Sequence, residues 1–85
     1  MENRSILEIA ILEMGRMKNG ESFSSSEVVK WIYPQDWSSF LPDLLEAMII
    51  LYKEGKIRTA LNEIPMAPDE KNIGFLQITL IKKTN

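Results

Sequence analysis

The stretch "WSSFLPDLLEAMIILYKEGKI", residues 37–57, decides the fold of this chain. Its apolar residues recur at the spacing of an amphipathic helix, and Gly55 is of the residue type that most often terminates one. The pattern predicts a helix that begins with Ser38 or Ser39 as its N-cap and accepts Pro42 in its first turn. The predicted buried stripe consists of Leu41, Leu44, Leu45, Met48, Leu51 and Tyr52. The rest of the chain must supply the surfaces that cover this stripe.

Two helices and a short strand are predicted before this stretch. Apolar residues at helical spacing predict a first helix over Ser5–Lys18. Residues 21–24 are predicted to form a short edge strand, and Ser24 with Glu27 makes the S-x-x-E capping box that begins a second helix. Pro34 ends that helix because proline cannot donate the next backbone hydrogen bond. The chain is therefore predicted to contain three helices.

Two segments of alternating apolar and polar residues follow the third helix. Residues 57–61 and 76–80 are predicted to be the two strands of an antiparallel hairpin, joined over residues 63–74 by a connection too long for a two-residue turn. This order of elements predicts an α+β winged helix, in which a three-helix helix-turn-helix core carries a C-terminal β-hairpin wing. At this length, residues 1–85 are predicted to form a single domain.

Several short motifs also resemble those of a known group of proteins. They are "SEVVKWIYPQDW" at residues 26–37, Leu41, "EGKI" at 54–57, "APD" at 67–69 and "GFLQI" at 74–78. Together they resemble a small uncharacterised bacterial family of winged-helix-like domains of unknown function. The resemblance implies the fold and no activity. That family commonly carries basic residues where this chain has Ser38, Leu45 and Gln77, and the difference weakens a nucleic-acid role carried over from it.

The composition removes most catalytic chemistry. The chain has no cysteine and no histidine, which excludes a thiol nucleophile, a thiolate metal site and the commonest general base. The serine run at residues 24–26 has no G-x-S-x-G elbow around it and is interpreted as a helix cap. Asp69 and Glu70 lack the alternating oxygen ligands of a calcium loop. We predict a protein that is not an enzyme and has no metal or cofactor.

The sequence also gives an expectation about location. Its N-terminus lacks the basic and then apolar layout of a signal peptide, and the longest apolar run, residues 47–52, is far shorter than the roughly 20 residues of a bilayer span. The absence of cysteine is compatible with a reducing compartment. We expect a cytoplasmic protein without membrane contact.

The third helix indicates the kind of partner. If its predicted stripe is buried, its outward face carries Asp43, Glu46, Ala47, Ile50 and Glu54. DNA-binding helices usually present Arg, Lys, Asn or Gln there, because base edges call for those groups and phosphates repel carboxylates. The predicted wing is acidic as well, with three carboxylates against one lysine over residues 62–74. A net charge of −2 points the same way, so a protein partner is favoured over DNA.

Apolar residues outside the predicted core support this interpretation. Ile9 and Leu12 lie off the buried stripe of the first helix, and Ile64 and Met66 lie in the predicted wing. We predict a protein-interaction or self-association module, with a symmetric homodimer through the first helix. Its predicted interaction residues are Ile9, Leu12, Asp43, Glu46, Ile50, Ile64 and Met66. An equally favoured alternative is that the wing folds back and buries Ile64 and Met66.

Two other roles stay open. A DNA-binding transcription regulator would use cations away from the third helix, and its binding would weaken steeply with salt. These cations are Lys30, Lys56, Arg58, Lys82 and Lys83. A narrower alternative is that the acidic helix and wing mimic nucleic acid and occupy a basic site on another protein. Trp31 and Trp37 are predicted to be core anchors rather than platforms for base stacking.

Overall fold

The computed structural model describes residues 4–81, and within them it contains three α-helices and a four-stranded antiparallel sheet. The helices are α1 (Ile6–Met17), α2 (Ser25–Ile32) and α3 (Leu41–Lys53), and one 3-10 turn over Trp37–Phe40 leads into α3. The strands are β1 (Phe23–Ser24), β2 (Ile57–Leu61), β3 (Ile64–Pro65) and β4 (Gln77–Leu80). The predicted α+β class is therefore confirmed.

The sheet is built around the predicted hairpin. Strand β2 pairs antiparallel with β4, with Thr59 opposite Ile78, and the strand order is β1, β4, β2, β3. Strand β1 pairs with the other edge of β4 through Phe23, so the edge strand predicted over residues 21–24 is present at its last two residues. This register turns Ile57, Thr59 and Ile78 towards the core, where all three are buried.

Strand β3 is absent from the sequence prediction. Leu61 pairs with Ile64 across a two-residue turn formed by Asn62 and Glu63. Both turn residues have positive φ, 50° and 68°, as the favoured two-residue hairpin turns require. The predicted hairpin strands β2 and β4 are joined by a long connection, as expected, and the tight turn at its start joins β2 to β3 instead. Asparagine is among the residues that tolerate this conformation.

The helices and the sheet share one apolar core. Its largest fully buried apolar side chains are Ile11, Val28, Val29, Leu44, Met48, Leu51, Ile57, Leu76 and Ile78. Helix α1 contacts α2, α3 and β4, so more of its circumference is enclosed than its apolar stripe indicates. For this reason Leu12 is partly buried and packs against the core, so the expectation that it lies outside the core is wrong. Its place on an interaction surface stays a prediction.

Helix α1 lies very close to β4 at Gly15. A Cβ atom added to this residue would stand 2.7 Å from the Cβ of Leu80. Since no real side chain tolerates that distance, the absence of a side chain at Gly15 sets the spacing between the helix and the strand.

The start of α1 is fixed by a capping box, and Arg4 connects this box to the residue that follows α3. The N–H of Glu8 donates to the Ser5 hydroxyl (3.2 Å), and the Glu8 carboxylate accepts from the N–H of Ser5 (3.0 Å). Arg4 donates to Glu8 (3.0 Å) and to Glu54 (2.7 Å), which follows α3. Burial alone would raise the pKa of Glu8, but hydrogen bonds from the Ser5 backbone and from Arg4 outweigh it and lower that pKa. Arg4 thereby links the start of α1 to the end of α3.

Ser24 is the N-cap of α2, as predicted, but the predicted capping box with Glu27 and the serine cap of α3 are wrong. The Ser24 hydroxyl accepts from the N–H of Ser26 (3.2 Å) rather than from that of Glu27, whose carboxylate faces a lysine just after α1. The hydroxyls of Ser24 and Ser26 are also in hydrogen-bond contact, at 2.8 Å. Ser38 and Ser39 lie inside the 3-10 turn, and α3 begins without a side-chain cap.

Candidate functional site

Helix α3 is rolled relative to the orientation that its sequence predicts. Its buried residues are Leu44, Ala47, Met48 and Leu51. Leu41 and Leu45 are only partly buried, and Tyr52 is exposed. At about 100° per residue, the centre of the buried face differs from the predicted one by about 50°. The outward position predicted for Ala47 is wrong, since this residue is 1% exposed.

The segment that leads into α3 fixes this roll. The rings of Tyr33 and Phe40 are stacked, with centroids 3.6 Å apart and planes 4° from parallel. The Nζ atom of Lys30 lies 4.6 Å from the ring centre of Trp37. These contacts hold the 3-10 turn against α2 and so determine the direction in which α3 begins.

The two tryptophans have different environments. Trp37 is partly buried and packs against the core, as predicted. Trp31 is 46% exposed, so its predicted role as a core anchor is wrong. The buried side of α2 is formed by Val28 and Val29, and Trp31 lies to one side of them on the helix.

A groove runs along the outer face of α3, between this helix and the turns before β4. It encloses about 700 Å³ and is called the α3 groove below. Its lining residues are Leu41, Pro42, Leu45, Glu46, Ile49, Ile50, Glu70 and Ile73. The lining is mainly apolar, and of the described residues that form it the charged ones are Glu46 and Glu70. An open apolar surface of this kind is typical of a binding site.

The wall opposite α3 is held by hydrogen bonds within residues 69–75 and to α2. The Asn72 amide oxygen accepts from the N–H of Asp69, and the Asp69 carboxylate accepts from the N–H of Lys71, both at 2.9 Å. The buried Ser25 hydroxyl donates to the carbonyl of Ile73 at 2.7 Å. These bonds hold the wall in place before any partner binds, which lowers the entropic cost of binding.

Replacing Ser25 by alanine is expected to lower the free energy of unfolding by about 1–3 kcal/mol, because it leaves the buried carbonyl of Ile73 without its hydrogen bond. Urea unfolding followed by circular dichroism measures the change. The exposed Ser22 provides the control, and Ser22→Ala is expected to stay within about 0.5 kcal/mol of the wild type. Equal stability of the two variants would show that this bond does not anchor the wall.

A smaller hollow of about 160 Å³ adjoins the α3 groove on the side of α1. Glu46 and Ile50 line both cavities, and Asp43 lines the smaller one. Three of the predicted interaction residues therefore meet on one surface, as the sequence indicates. The exposed Asp43 and Glu46 place two carboxylates beside the apolar lining.

The other predicted interaction residues lie away from the lining of these cavities. Ile9 is exposed on α1, and Ile64 is 61% exposed at the edge of the sheet. Met66 is partly buried against the core, because its backbone N–H and carbonyl both bond to Thr59. Its predicted exposure is therefore wrong, and the alternative of burial holds for Met66 but not for Ile64. The homodimer through α1 stays a prediction, with Ile9 exposed on that helix.

The predicted cations that the structure describes have different surroundings. Lys30 and Arg58 line two different grooves. Lys56 is partly buried just before β2. Lys82 and Lys83 lie outside the described residues. None of the described cations lines the α3 groove.

Sequence reasoning misses several residues of the groove. Ile49, Glu70 and Ile73 are absent from the predicted interaction surface, and Leu45 is assigned to the core. For Leu45 and Ile49 the sequence contains a usable signal. Helix α3 has apolar residues on nearly every side, which is more than one buried face requires. For Glu70 and Ile73 the sequence offers no such signal, because it does not show that their turn approaches α3.

No protein-family model matches this chain, and no curated protein shows significant similarity to it. The resemblance to the bacterial family therefore stays a prediction. Within residues 4–81, no helix combines the length and apolar character that crossing a membrane requires. The same residues contain no group of three or more acidic, histidine or cysteine side chains arranged to hold a metal ion.

Proposed function

We propose that this chain is a non-enzymatic winged-helix module that binds a protein partner on the outer face of α3. The observation that carries the proposal is the α3 groove, which combines a mainly apolar lining with two carboxylates. Burying such a surface against a partner is favourable by about 25 cal/mol for each Å² of apolar area removed from water. The wall at residues 69–75 is already held in position, so little ordering is needed on binding.

The order of the elements supports the winged-helix part of the proposal. Helices α2 and α3 follow one another across a short turn, and the β2 and β4 strands form a hairpin after them. Strand β1, between α1 and α2, completes the sheet beside β4. In a helix-turn-helix arrangement the last helix presents its outer face to the ligand, which here is the face that lines the α3 groove.

The charges on this face favour a protein over a nucleic acid. DNA requires cations near its phosphates and donors towards its base edges. The groove instead presents Glu46 and Glu70, with Asp43 exposed beside it. Arg58, the exposed cation of β2, lines a different groove, and the exposed Lys53 in the last turn of α3 does not line the α3 groove. The charged groups in the lining of that groove are therefore carboxylates, which phosphates repel.

The double substitution Leu45→Ser, Ile49→Ser tests the proposal in a pull-down from cells that make this protein. Each loss of an apolar anchor is expected to weaken binding by about 1 kcal/mol or more, so that recovery of the partner falls roughly 30-fold. The measurement is quantitative mass spectrometry of the proteins retained by each variant. Because both residues are only partly buried, circular dichroism is expected to show a folded protein.

The matched control is Ile9→Ser, Ile64→Ser, which removes two exposed apolar side chains outside the groove. This control is expected to retain the same partner proteins as the wild type, and loss of only a second copy of this chain would report on the predicted contact through α1. Equal retention by all three proteins would contradict the proposal, and loss in the control alone would place the interaction on α1 or the sheet edge. Anisotropy with a labelled DNA duplex at two salt concentrations tests the nucleic-acid alternative, and we expect no binding there.

A further inference from the structure

Resting on this proposed function, we infer that the occupant of the α3 groove is a basic amphipathic helix of another protein. The groove is bounded by α3 on one side and by Glu70 and Ile73 on the other. Helix α3 has 13 residues, which at 1.5 Å per residue gives a length of about 20 Å. Three turns or more of a second helix can lie along it.

The shape of the surface favours a helix over an extended strand. Leu41, Leu45 and Ile49 are four residues apart and form one ridge, with a second ridge that includes Ile50 beside it. Helices pack by placing their own ridges into grooves between ridges of this kind. A bound strand would find no backbone partner there, because α3 already uses its backbone groups within the helix. A bound helix satisfies its own backbone and presents apolar anchors at positions i, i+4 and i+7.

The charge of the surface favours a basic partner. Glu46 on α3 and Glu70 on the opposite wall place carboxylates on both sides of the apolar lining. Asp43 adds a third exposed carboxylate beside Glu46, in the adjoining hollow. Lysines or arginines that flank the apolar stripe of an amphipathic helix would lie opposite these carboxylates, whereas acidic residues at the same positions would be repelled.

A second copy of this chain fits the surface less well. In a two-fold dimer through this face the same patch meets itself. Glu46 and Glu70 of one copy would then approach the acidic rim of the other, and like charges in contact oppose association. The self-association predicted through α1 uses a different surface, which includes Ile9.

Two synthetic peptides of about four helical turns test the inference. Both carry leucine at positions i, i+4, i+7 and i+11, and one has lysine on both flanks where the other has glutamate. Fluorescence anisotropy measures the affinity of each labelled peptide for the intact protein. The lysine peptide is expected to bind about tenfold more tightly at low salt, and this ratio is expected to shrink as ionic strength rises.

Charge reversal at the groove provides the specific readout. The variant Glu46→Lys, Glu70→Lys is expected to remove or invert the preference for the lysine peptide. The variant Glu13→Lys, Glu21→Lys has the same net charge, but its two positions are exposed and lie outside both cavities, so it is expected to keep the preference. This control separates contact with the groove from a general attraction between a basic peptide and an acidic protein.

The outcomes distinguish this inference from the proposed function. Equal loss of preference in the two charge variants, or no binding of the lysine peptide at its highest soluble concentration, overturns the basic-helix inference. If the glutamate peptide binds better and the Leu45→Ser, Ile49→Ser variant abolishes that binding, the groove is a protein site and only the partner's charge is wrong. If the Leu45→Ser, Ile49→Ser variant changes neither peptide binding nor partner recovery, both the basic-helix inference and the proposed function are wrong.

Discussion

Replacing Leu44 by alanine is expected to lower the free energy of unfolding by about 2–5 kcal/mol, whereas the same change at Leu45 is expected to cost about 1 kcal/mol. Leu44 is fully buried, so its truncation removes apolar contacts and leaves a cavity. Leu45 lines the α3 groove and is only partly buried. A chain of this length has a total stability of roughly 4–13 kcal/mol, and Leu44→Ala therefore removes a large share of it.

Thermal and urea unfolding followed by circular dichroism measure this difference. At about 4–8 °C for each kcal/mol, Leu44→Ala is expected to lower Tm by roughly 10 °C or more. Leu45→Ala is the matched control for Leu44→Ala, since the two leucines are neighbours on one helix and lose the same atoms. Similar losses at both positions would mean that α3 has the orientation its periodicity predicts. A weaker partner interaction with Leu45→Ala at nearly unchanged stability would connect its exposure to binding.

The orientation of α3 shows where sequence periodicity stops being informative. Period and helix-ending residues predict the three helices and the β2 and β4 hairpin, because apolar residues recur at helical spacing in the helices and at every second position in much of the strands. In α3, Ile49 and Ile50 continue the apolar surface beyond Leu45, so several rotations of the helix would bury a stripe of similar hydrophobicity. Packing of the preceding turn through Tyr33 and Phe40 decides between them.

The opposite wall of the groove could not be predicted for a different reason. Ile73 and Glu70 lie 20 or more residues beyond the α3 residues that they face, within a connection that has no periodic pattern. Their position depends on long-range bonds such as that from Ser25 to Ile73. Local propensity contains no information about such contacts. The acidic residues Asp43 and Glu46 could be placed at the surface, because carboxylates are rarely buried without a partner.

Apolar residues that are not fully buried differ in what they indicate about function. The partly buried Ile49 and Ile50 belong to a shaped surface with an ordered wall, and they support a specific partner. Ile64 projects from the short β3 strand at the edge of the sheet, where Pro65 limits pairing with another strand. A single exposed isoleucine of that kind needs no partner. The groove is therefore a stronger indication of function than the amount of exposed apolar surface.

Replacing Gly15 by valine is expected to lower the free energy of unfolding by about 3 kcal/mol, although glycine is a poor helix former. Helix propensity alone would predict a gain of a few tenths of a kcal/mol, because valine is better tolerated than glycine in a helix. The packing of α1 on β4 reverses the sign of the expected change in the free energy of unfolding. The new Cβ would stand 2.7 Å from the Cβ of Leu80, so α1 and β4 must separate, and overpacking of this kind costs about 1–3 kcal/mol or more.

Urea unfolding gives the measurement, with Gly74→Ala as the control, because a Cβ at Gly74 has no atom within 4 Å and Gly74 is not among the residues with positive φ. That control is expected to change stability by no more than about 0.5 kcal/mol. Adding Leu80→Gly to Gly15→Val removes the opposing Cβ, and a double-mutant cycle is expected to give a coupling free energy of about 1 kcal/mol or more. A stabilising Gly15→Val, or strict additivity in the cycle, would mean that α1 does not pack on β4 at this distance. Because the same helix forms one side of the hollow beside Glu46, that result would also remove the support for the smaller cavity.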